Sequence, residues 1–483
     1  MRGSVSHVLV GLSWVVLAYF IVLNTIYLLL VGLAAINLRR FVRYEGFTGL
    51  DDLARNPLAP PVSILIPAYN EEAGIVESVR AMLALQYPEF EVIVIDDGST
   101  DTTFAALKDE FSLVEVPRPI PPLVPTIGTV LSVHVQASGQ GLTVIRKENA
   151  RRKTDALNVG ICAARFPLLC MVDADALLES DALLSVVQPF IEDPARVVAT
   201  GGVIRPANGG QVYRGRLTNL QMPRSWLARI QVVEYLRAFL LGRSGWSRLQ
   251  SLLIISGAFG VFRRDVVVEL GGYDHDTIGE DAELVARIHR HMRQNDRPYR
   301  IEFVAKPVCW TEVPESMRVL ARQRRRWARG MVDVLRTHKT MMGNPRYGRI
   351  GMVVFPYFLL FEVLGPFVEL VGFISVIIGL AFGLVNTSFA VLFFLAAFGY
   401  GILLSLMSLA IEELSFRTHR RWRDLAIEVV ASVVENVGYR QLHDIWRIQG
   451  TIDGLRKKET VWGEMHRVGL GRPGSVVPDV DEG

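Results

Sequence analysis

Asp173-Ala174-Asp175 follows the apolar run PLLCMV, so two carboxylates of alternating direction stand at the end of a buried strand. Oxygen donors of this kind suit Mg2+ or Mn2+ bridging to phosphates, and a capping or solvated pair is the plainer alternative. EVIVIDDGSTD ends a second apolar run in Asp96 and Asp97, and two acidic strand ends in one domain indicate a site. Glu280 and Asp281 precede the helical run AELVARIHRHM. There a carboxylate either compensates the helix dipole or serves as general base towards a hydroxyl. Arg318, Arg322, Arg324, Arg325, Arg326 and Arg329 crowd RVLARQRRRWARG, which contains no acid. Guanidinium forks suit a diphosphate, an anionic lipid surface or a nucleic-acid patch, and Trp327 among them offers a flat face to a sugar or to the membrane.

These residues need elements to hold them. Val62–Pro67 is a short apolar run ending at proline, EEAGIVESVRAMLALQ has helical spacing, and EVIVIDD is again apolar. Strand, helix, strand is a βαβ unit, hence a parallel sheet with ligands at the carboxyl ends of its strands. KTDALNVGICAARF and PLLCMV repeat the pattern, and SGAFGVFRRDVVVELGGYD reads as turn, helix and glycine turn. Pro117, Pro119, Pro121, Pro122 and Pro125 exclude helix and central strand, so 112–140 reads as an irregular excursion, a surface loop or a lipid-facing flap.

The chain around this body is apolar. Half of the 483 residues are hydrophobic, 21% are charged and mean hydropathy is +0.28, which excludes disorder. A net charge of +3 argues against a nucleic-acid binder with a wholly basic surface. Cys162, Cys170 and Cys309 match neither a disulfide framework nor a zinc site and read as core. Residues 8–38 carry no charge and end at Arg39-Arg40, which predicts a spanning helix within 1–45 rather than a cleaved leader. The excess of arginine after it puts the N-terminus outside and the rest of the catalytic chain in the cytoplasm. Leu370–Ile411 is uncharged and, at 1.5 Å per residue, would be about 63 Å long as one helix, so a hairpin broken at Asn386-Thr387-Ser388 is expected within 350–411. The stretch before it, with Pro356, Glu362, Pro366 and Glu369, reads as interfacial, with a span of its own left open. Four arginines from Arg417 to Arg423 mark the inner side, 424–470 reads as an amphipathic interfacial segment ahead of Arg456-Lys457-Lys458, and 471–483 as a disordered tail.

Pro67-x-x-Asn70-Glu71, Asp96-Asp97-Gly98-Ser99-x-Asp101, Lys153-x-Asp155-Ala156-Leu157-Asn158, Asp173-Ala174-Asp175, Gly279-Glu280-Asp281 and Gln323-x-x-Arg326-Trp327 stand in this order. Over about residues 60–330 the set resembles the family 2 membrane-integrated processive glycosyltransferases, which include hyaluronan, chitin, cellulose and poly-N-acetylglucosamine synthases. The resemblance implies an α/β, GT-A catalytic domain over 58–336 between transmembrane helices in a cell membrane. It implies inverting transfer from a UDP-sugar, foremost UDP-N-acetylglucosamine, to a growing polysaccharide that is exported across the membrane. Pro67, Asn70, Glu71 and Asp96 or Asp97 would then hold uridine, and Lys153 and Asp155 would line the nucleotide pocket. Asp173 would sit by the ribose and diphosphate, Asp175 would bind Mg2+ or Mn2+, and Asp281 would be the base. Gln323 and Arg326 would hold the diphosphate, with Glu280 and Trp327 at the acceptor. The resemblance involves membrane lipid but no nucleic acid, and admits an accessory subunit. PFVELVGF, ENVGYRQL and Trp462-Gly463-Glu464-Met465 look like the poly-N-acetylglucosamine branch.

One position departs from the pattern: similar sequences tend to have Gly-Gly where this chain has Ala150-Arg151-Arg152, which either adds phosphate contacts or changes the sugar that fits. Two other functions compete. A single-sugar transferase acting on a polyprenyl phosphate would share the nucleotide motifs but has no need of Gln-x-x-Arg-Trp. A non-catalytic membrane subunit would need none of Asp175, Asp281 and Arg326.

Overall fold

A computed structural model describes residues 2–45, 56, 58–139, 141–218, 220–416 and 422–456. Helix α1 (Arg2–Glu45) opens the chain, and its stretch Gly11–Arg39 is long and apolar enough to cross a membrane. The α/β body starts with β1 (Val62–Ala68), α2 (Ile75–Leu83), β2 (Phe90–Asp96), α3 (Thr103–Phe111), β3 (Leu113–Glu115), β4 (Val130–Gln136), β5 (Leu142–Lys147), α4 (Lys153–Ala163) and β6 (Leu168–Val172). It continues through β7 (Leu177–Leu178), α5 (Ala182–Glu192), β8 (Val197–Pro206), β9 (Gln211–Tyr213), β10 (Arg216–Thr218) and α6 (Trp226–Leu236). After the helical segment Arg237–Arg243 come α7 (Ser244–Arg248), β11 (Phe259–Arg263), α8 (Arg264–Glu269), α9 (Glu280–Gln294), β12 (Arg300–Thr311) and α10 (Met317–Thr337).

Ten strands form one sheet in the order β3-β4-β5-β2-β1-β6-β11-β8-β12-β7, and β9 and β10 pair as a separate hairpin. The α/β class expected from the sequence is the one adopted, but the sheet is mixed rather than parallel. β5, β2, β1 and β6 run parallel, with Ile64 level with Val92 and Cys170. β11 then enters antiparallel between β6 and β8. It read as part of a turn because Phe259–Arg263 is short, contains Gly260 and is stabilised only by two neighbours distant in sequence. The 112–140 stretch is likewise part sheet: β4 pairs antiparallel with β5 and β3 with β4, while 116–129, which holds the prolines, stays outside the ladder.

The central strands are buried on both faces, which their continuous apolar runs require. Their core also takes in Leu30 and Leu38 of α1, and the three cysteines are free and buried, as core residues.

Beyond α10, Ile350–Val363 and α11 (Gly365–Ala381) are apolar helical stretches bent by 42° at the break between them. The long uncharged run divides where its polar triplet predicts: Asn386 caps the next helix, its Oδ1 accepting from the Ser388 N–H at 2.9 Å. Thr387–Ser415 is the second helix long and apolar enough to span, and the bent pair would make a third. The amphipathic C-terminal segment is two helices, α12 (Trp422–Val434) and α13 (Arg440–Leu455), because Val437 and Gly438 leave helical geometry and Gly438 takes φ +94°. Arg417, Arg420, Arg421, Lys457, Lys458, Trp462-Gly463-Glu464-Met465 and the expected tail 471–483 lie outside the described residues.

Candidate active site

β1 and β2 are level at Ala68 and Asp96, and the Asp97 N–H donates to the Ala68 carbonyl at 2.9 Å. Asp173 follows the last residue of β6 on the same edge of the parallel block. Both acidic strand ends therefore open on one side, as the βαβ reading requires. A cavity of about 3140 Å3 lies there. Pro67, Glu71, Asp97, Lys153, Asp173 and Asp175 line it, together with Glu280, Asp281, Gln323, Arg326 and Trp327. Asn70, Asp96 and Asp155 are not in its wall.

Lys153, at the first residue of α4, joins the motifs. Its ammonium pairs with Asp173 and reaches Glu280 Oε1 at 3.5 Å. Burial alone would lower Lys153, but Asp173 and Glu280 more than offset it and hold the ammonium above the ordinary lysine range. The cation thus stays charged between the two carboxylates.

Asp281 sits in the first turn of α9, as expected, with Oδ2 accepting from the Gly257 N–H at 3.2 Å and Oδ1 from the Ala282 N–H at 2.8 Å. Burial, and then the Glu280 charge, push its carboxyl up. A carboxylate raised in this way is a better proton acceptor at neutral pH than one in water. Arg243 shares the cavity and moderates the shift; burial pushes its guanidinium down to about 10, so it remains charged. No motif marks Arg243, the last residue of the helical segment Arg237–Arg243.

The residues outside the wall have structural partners. Asn70 adopts φ +54°, and its Oδ1 accepts from the Thr100 N–H at 2.8 Å, fastening the loop after β1 to the one after β2. Asp96 Oδ1 accepts from the Ser99 N–H at 3.0 Å. Asp155 is fully buried and accepts from the N–H groups of Ile127 at 2.6 Å and Gly128 at 3.0 Å, so it ties the proline-rich excursion to α4. Lys147, which sequence reasoning missed, lies between Asp155, at 2.9 Å, and Asp97, with its side chain wholly buried. The signal is present in the register: Arg146 is level with Asp96, so Lys147 falls beside Asp97. It becomes visible only once β5 is known to neighbour β2.

Arg151 takes φ +57°. Glycine would adopt this left-handed backbone without strain, whereas a side chain does so at a cost. Arg152 reaches across to Asp276 at 2.8 Å, and both arginines line the cavity.

The arginines of α10 divide by burial. Arg324 is buried and paired with Glu234 of α6 at 2.7 Å, while Arg326 faces the cavity. Trp327 also lines the cavity and is 45% exposed, with the Arg324 guanidinium 4.4 Å from its ring centre.

Asp173 and Asp175 offer oxygen donors only, and no group of three or more His, Cys, Asp or Glu side chains suited to a metal gathers among the described residues. That donor set fits a hard divalent cation whose remaining positions go to phosphate oxygens and water.

The cavity does not stop at the α/β body. It continues past Trp327 to Asn24, Tyr27, Leu30 and Val31 of α1 and to Leu404 of the second spanning-length helix. Arginines stand along this part of its wall, each paired with an acid: Arg237 with Glu435 at 2.5 Å, Arg440 with Glu369 at 3.1 Å and Arg447 with Glu362 at 2.5 Å.

A parallel-centred sheet with acidic strand ends, a buried carboxylate at a helix start and a cationic helix over one cavity suits a nucleotide-sugar enzyme, and the family comparison agrees. Residues 63–119 match Glycosyl transferase family 2, and residues 168–404 match Glycosyl transferase family group 2. The chain carries family 2 glycosyltransferase domains and is an enzyme of this type. It is similar to the poly-beta-1,6-N-acetyl-D-glucosamine synthase of Staphylococcus aureus, 29% identical over 276 residues, and to that of Staphylococcus epidermidis, 26% identical over 279. Each alignment takes in 57% of this chain and 55% of the relative, so the chain spans about half the length of the curated relatives it matches. A solved mannosyltransferase of Pyrobaculum calidifontis, in complex with GDP-Man and Mn2+, overlays 90% of this chain and 99% of its own at a TM-score of 0.47 and 18% identity.

Proposed function

We propose that the protein is a processive, inverting synthase that transfers N-acetylglucosamine from UDP-N-acetylglucosamine to a growing polysaccharide and passes the product into the membrane. The observation that carries this reading is the single cavity running from Asp173, Asp175 and Asp281 past Gln323, Arg326 and Trp327 to Tyr27, Leu30 and Leu404. A cavity of this length gives a lengthening chain a path from the acidic cluster to the apolar helices. The curated relatives named as poly-N-acetylglucosamine synthases motivate the choice of sugar.

In the proposed step the acceptor hydroxyl attacks the anomeric carbon from the face opposite the leaving group. The C–O bond to UDP breaks with its electron pair, and Asp281 takes the hydroxyl proton. Asp281 is fitted to this by its raised carboxyl and by the Gly257 N–H, which fixes its orientation. Lys153 and Arg326 supply positive charge where the diphosphate leaves, and Asp97, steadied by Lys147, takes the uridine end. Asp175, with Asp173, would hold Mg2+ or Mn2+, which when bound neutralises diphosphate charge. Trp327 receives the acceptor ring: a flat face binds a sugar without fixing every hydroxyl, so the chain can advance. The spanning-length helices are read as a multi-pass anchor with the α/β body in the cytoplasm.

The test is purified protein in detergent, offered UDP-sugars one at a time, with released UDP and product length recorded. Long polymer from UDP-N-acetylglucosamine alone is the expected result. One addition per acceptor onto a lipid phosphate, under every condition, would replace this reading with the single-sugar transferase.

A further inference from the structure

A second cavity, of about 440 Å3, gathers Arg196, Arg248, Arg293, Arg297, Arg300 and Gln250, and shares no lining residue with the first. The five arginines come from distant parts of the chain. Arg196 precedes β8, Arg248 ends α7, Arg293 lies in the last turn of α9, and Arg297 and Arg300 flank the entry to β12. Like charges brought together by folding repel, so the neighbouring acids decide whether the pocket is merely neutralised.

Three carboxylates lie against it. Asp193 pairs with Arg196 at 2.8 Å and Arg300 at 3.4 Å, Glu302 with Arg300 at 2.6 Å, and Glu269 with Arg297 at 2.7 Å. Arg248 and Arg293 have no carboxylate partner among the described residues, so two guanidiniums remain in excess. Arg293 is held in place, its guanidinium 5.6 Å from the Tyr299 ring centre, and the Tyr299 hydroxyl is bonded to His289 Nδ1 at 2.6 Å. Burial pushes His289 down to about 4, so it stays neutral and adds no charge of its own.

The pocket stands beside the apolar helices. α7, which ends in Arg248, packs on α1 so closely that a side chain at Gly245 would meet the Leu30 carbonyl at 2.8 Å. Arg293 adjoins Gly348, two residues before the bent apolar pair begins at Ile350. Arg349 Nη1 donates to the Leu249 carbonyl at 3.1 Å, tying that entry to the pocket's edge.

We propose that this pocket binds a phosphate group, carried either by the headgroup of an anionic membrane lipid or by a soluble phosphate compound. Planar guanidiniums in excess of their carboxylates match phosphate oxygens in a way that a single ammonium does not. The wall also contains the face of Tyr299 and Pro298, which give an ester substituent an apolar contact. The site is independent of the sugar-transfer reading, since none of its residues is used there.

Full-length protein in neutral detergent is titrated by calorimetry with pyrophosphate and, separately, with short-chain phosphatidylglycerol against phosphatidylcholine. Arg248→Ala/Arg293→Ala should weaken at least one of the anionic titrations by about tenfold or more, as expected for losing charge-assisted hydrogen bonds. Arg214→Ala/Arg216→Ala, on the exposed β9–β10 hairpin, should change neither. A loss confined to pyrophosphate assigns a soluble phosphate, and one confined to phosphatidylglycerol assigns the lipid. Should the alanine pair fail to fold, Arg248→Gln/Arg293→Gln carries the same test. Unchanged binding of both probes in a folded double variant overturns the proposal, and so does an equal loss in the hairpin control.

Discussion

The guanidinium of Arg324 lies over the indole of Trp327, one turn back on the same helix, 4.4 Å from the ring centre. Arg324 is itself fixed by Glu234, so the indole rests on a buried and immobile cation. That leaves the ring rigid at the point where the cavity turns from the acidic cluster towards the apolar helices.

Trp327→Ala should therefore abolish long polymer while UDP affinity stays within about threefold of wild type, because truncation removes the acceptor platform and leaves the donor groups. Trp327→Phe should retain shorter product. Gel sizing of the polymer and calorimetry with UDP separate the two effects. Loss of UDP binding together with polymer would place Trp327 in the donor site.

Asp281→Asn should lower turnover by about 10²–10⁴-fold, the usual worth of a general base, with UDP binding little changed. In the wild type, activity should fall as pH drops through the raised carboxyl pKa, so the acid limb lies above the ordinary carboxylate range. The same shift affects stability in the opposite sense. A raised folded pKa favours the fold below the ordinary pKa and loses that contribution as pH rises through the raised one. Asparagine carries no such loss, so the variant should melt at or above the wild type at neutral pH.

Lys147→Met should cost about 3–5 kcal/mol, because it strands the buried Asp97 and Asp155 carboxylates without their shared cation. Adding Asp97→Asn and Asp155→Asn should restore much of the melting temperature, but not UDP affinity. Failure of that rescue would mean that Lys147 stabilises through packing alone.

Arg151→Gly should leave melting unchanged or raise stability by up to about 1 kcal/mol, since glycine takes φ +57° without strain. UDP affinity should fall by less than about fivefold, the ceiling for one exposed, screened charge.

Chelation provides the metal test. Excess EDTA should abolish transfer, and Mg2+ or Mn2+ should restore it; full activity in chelator would remove the assignment of Asp175.

The strands that end at Asp96 and just before Asp173 were legible because a buried parallel strand reads as an unbroken apolar run, and Glu280 marked its own helix start. What could not be read was adjacency. β11 depends on neighbours far away in the chain, and Lys147 gains its meaning only from lying beside β2. Asp155 shows the converse: its motif spacing is right, yet its oxygens go to the backbone of an excursion whose position no local pattern predicts.

Leu30 and Leu38 lie in α1, and they share one core with β1, β6 and residues as late as Leu409. Until those later residues are in place, these side chains have no protein core to cover them. A water-soluble fragment begun after α1 would expose the surface that Leu30 covers on α7, so the anchor is also part of the tertiary structure of the α/β body.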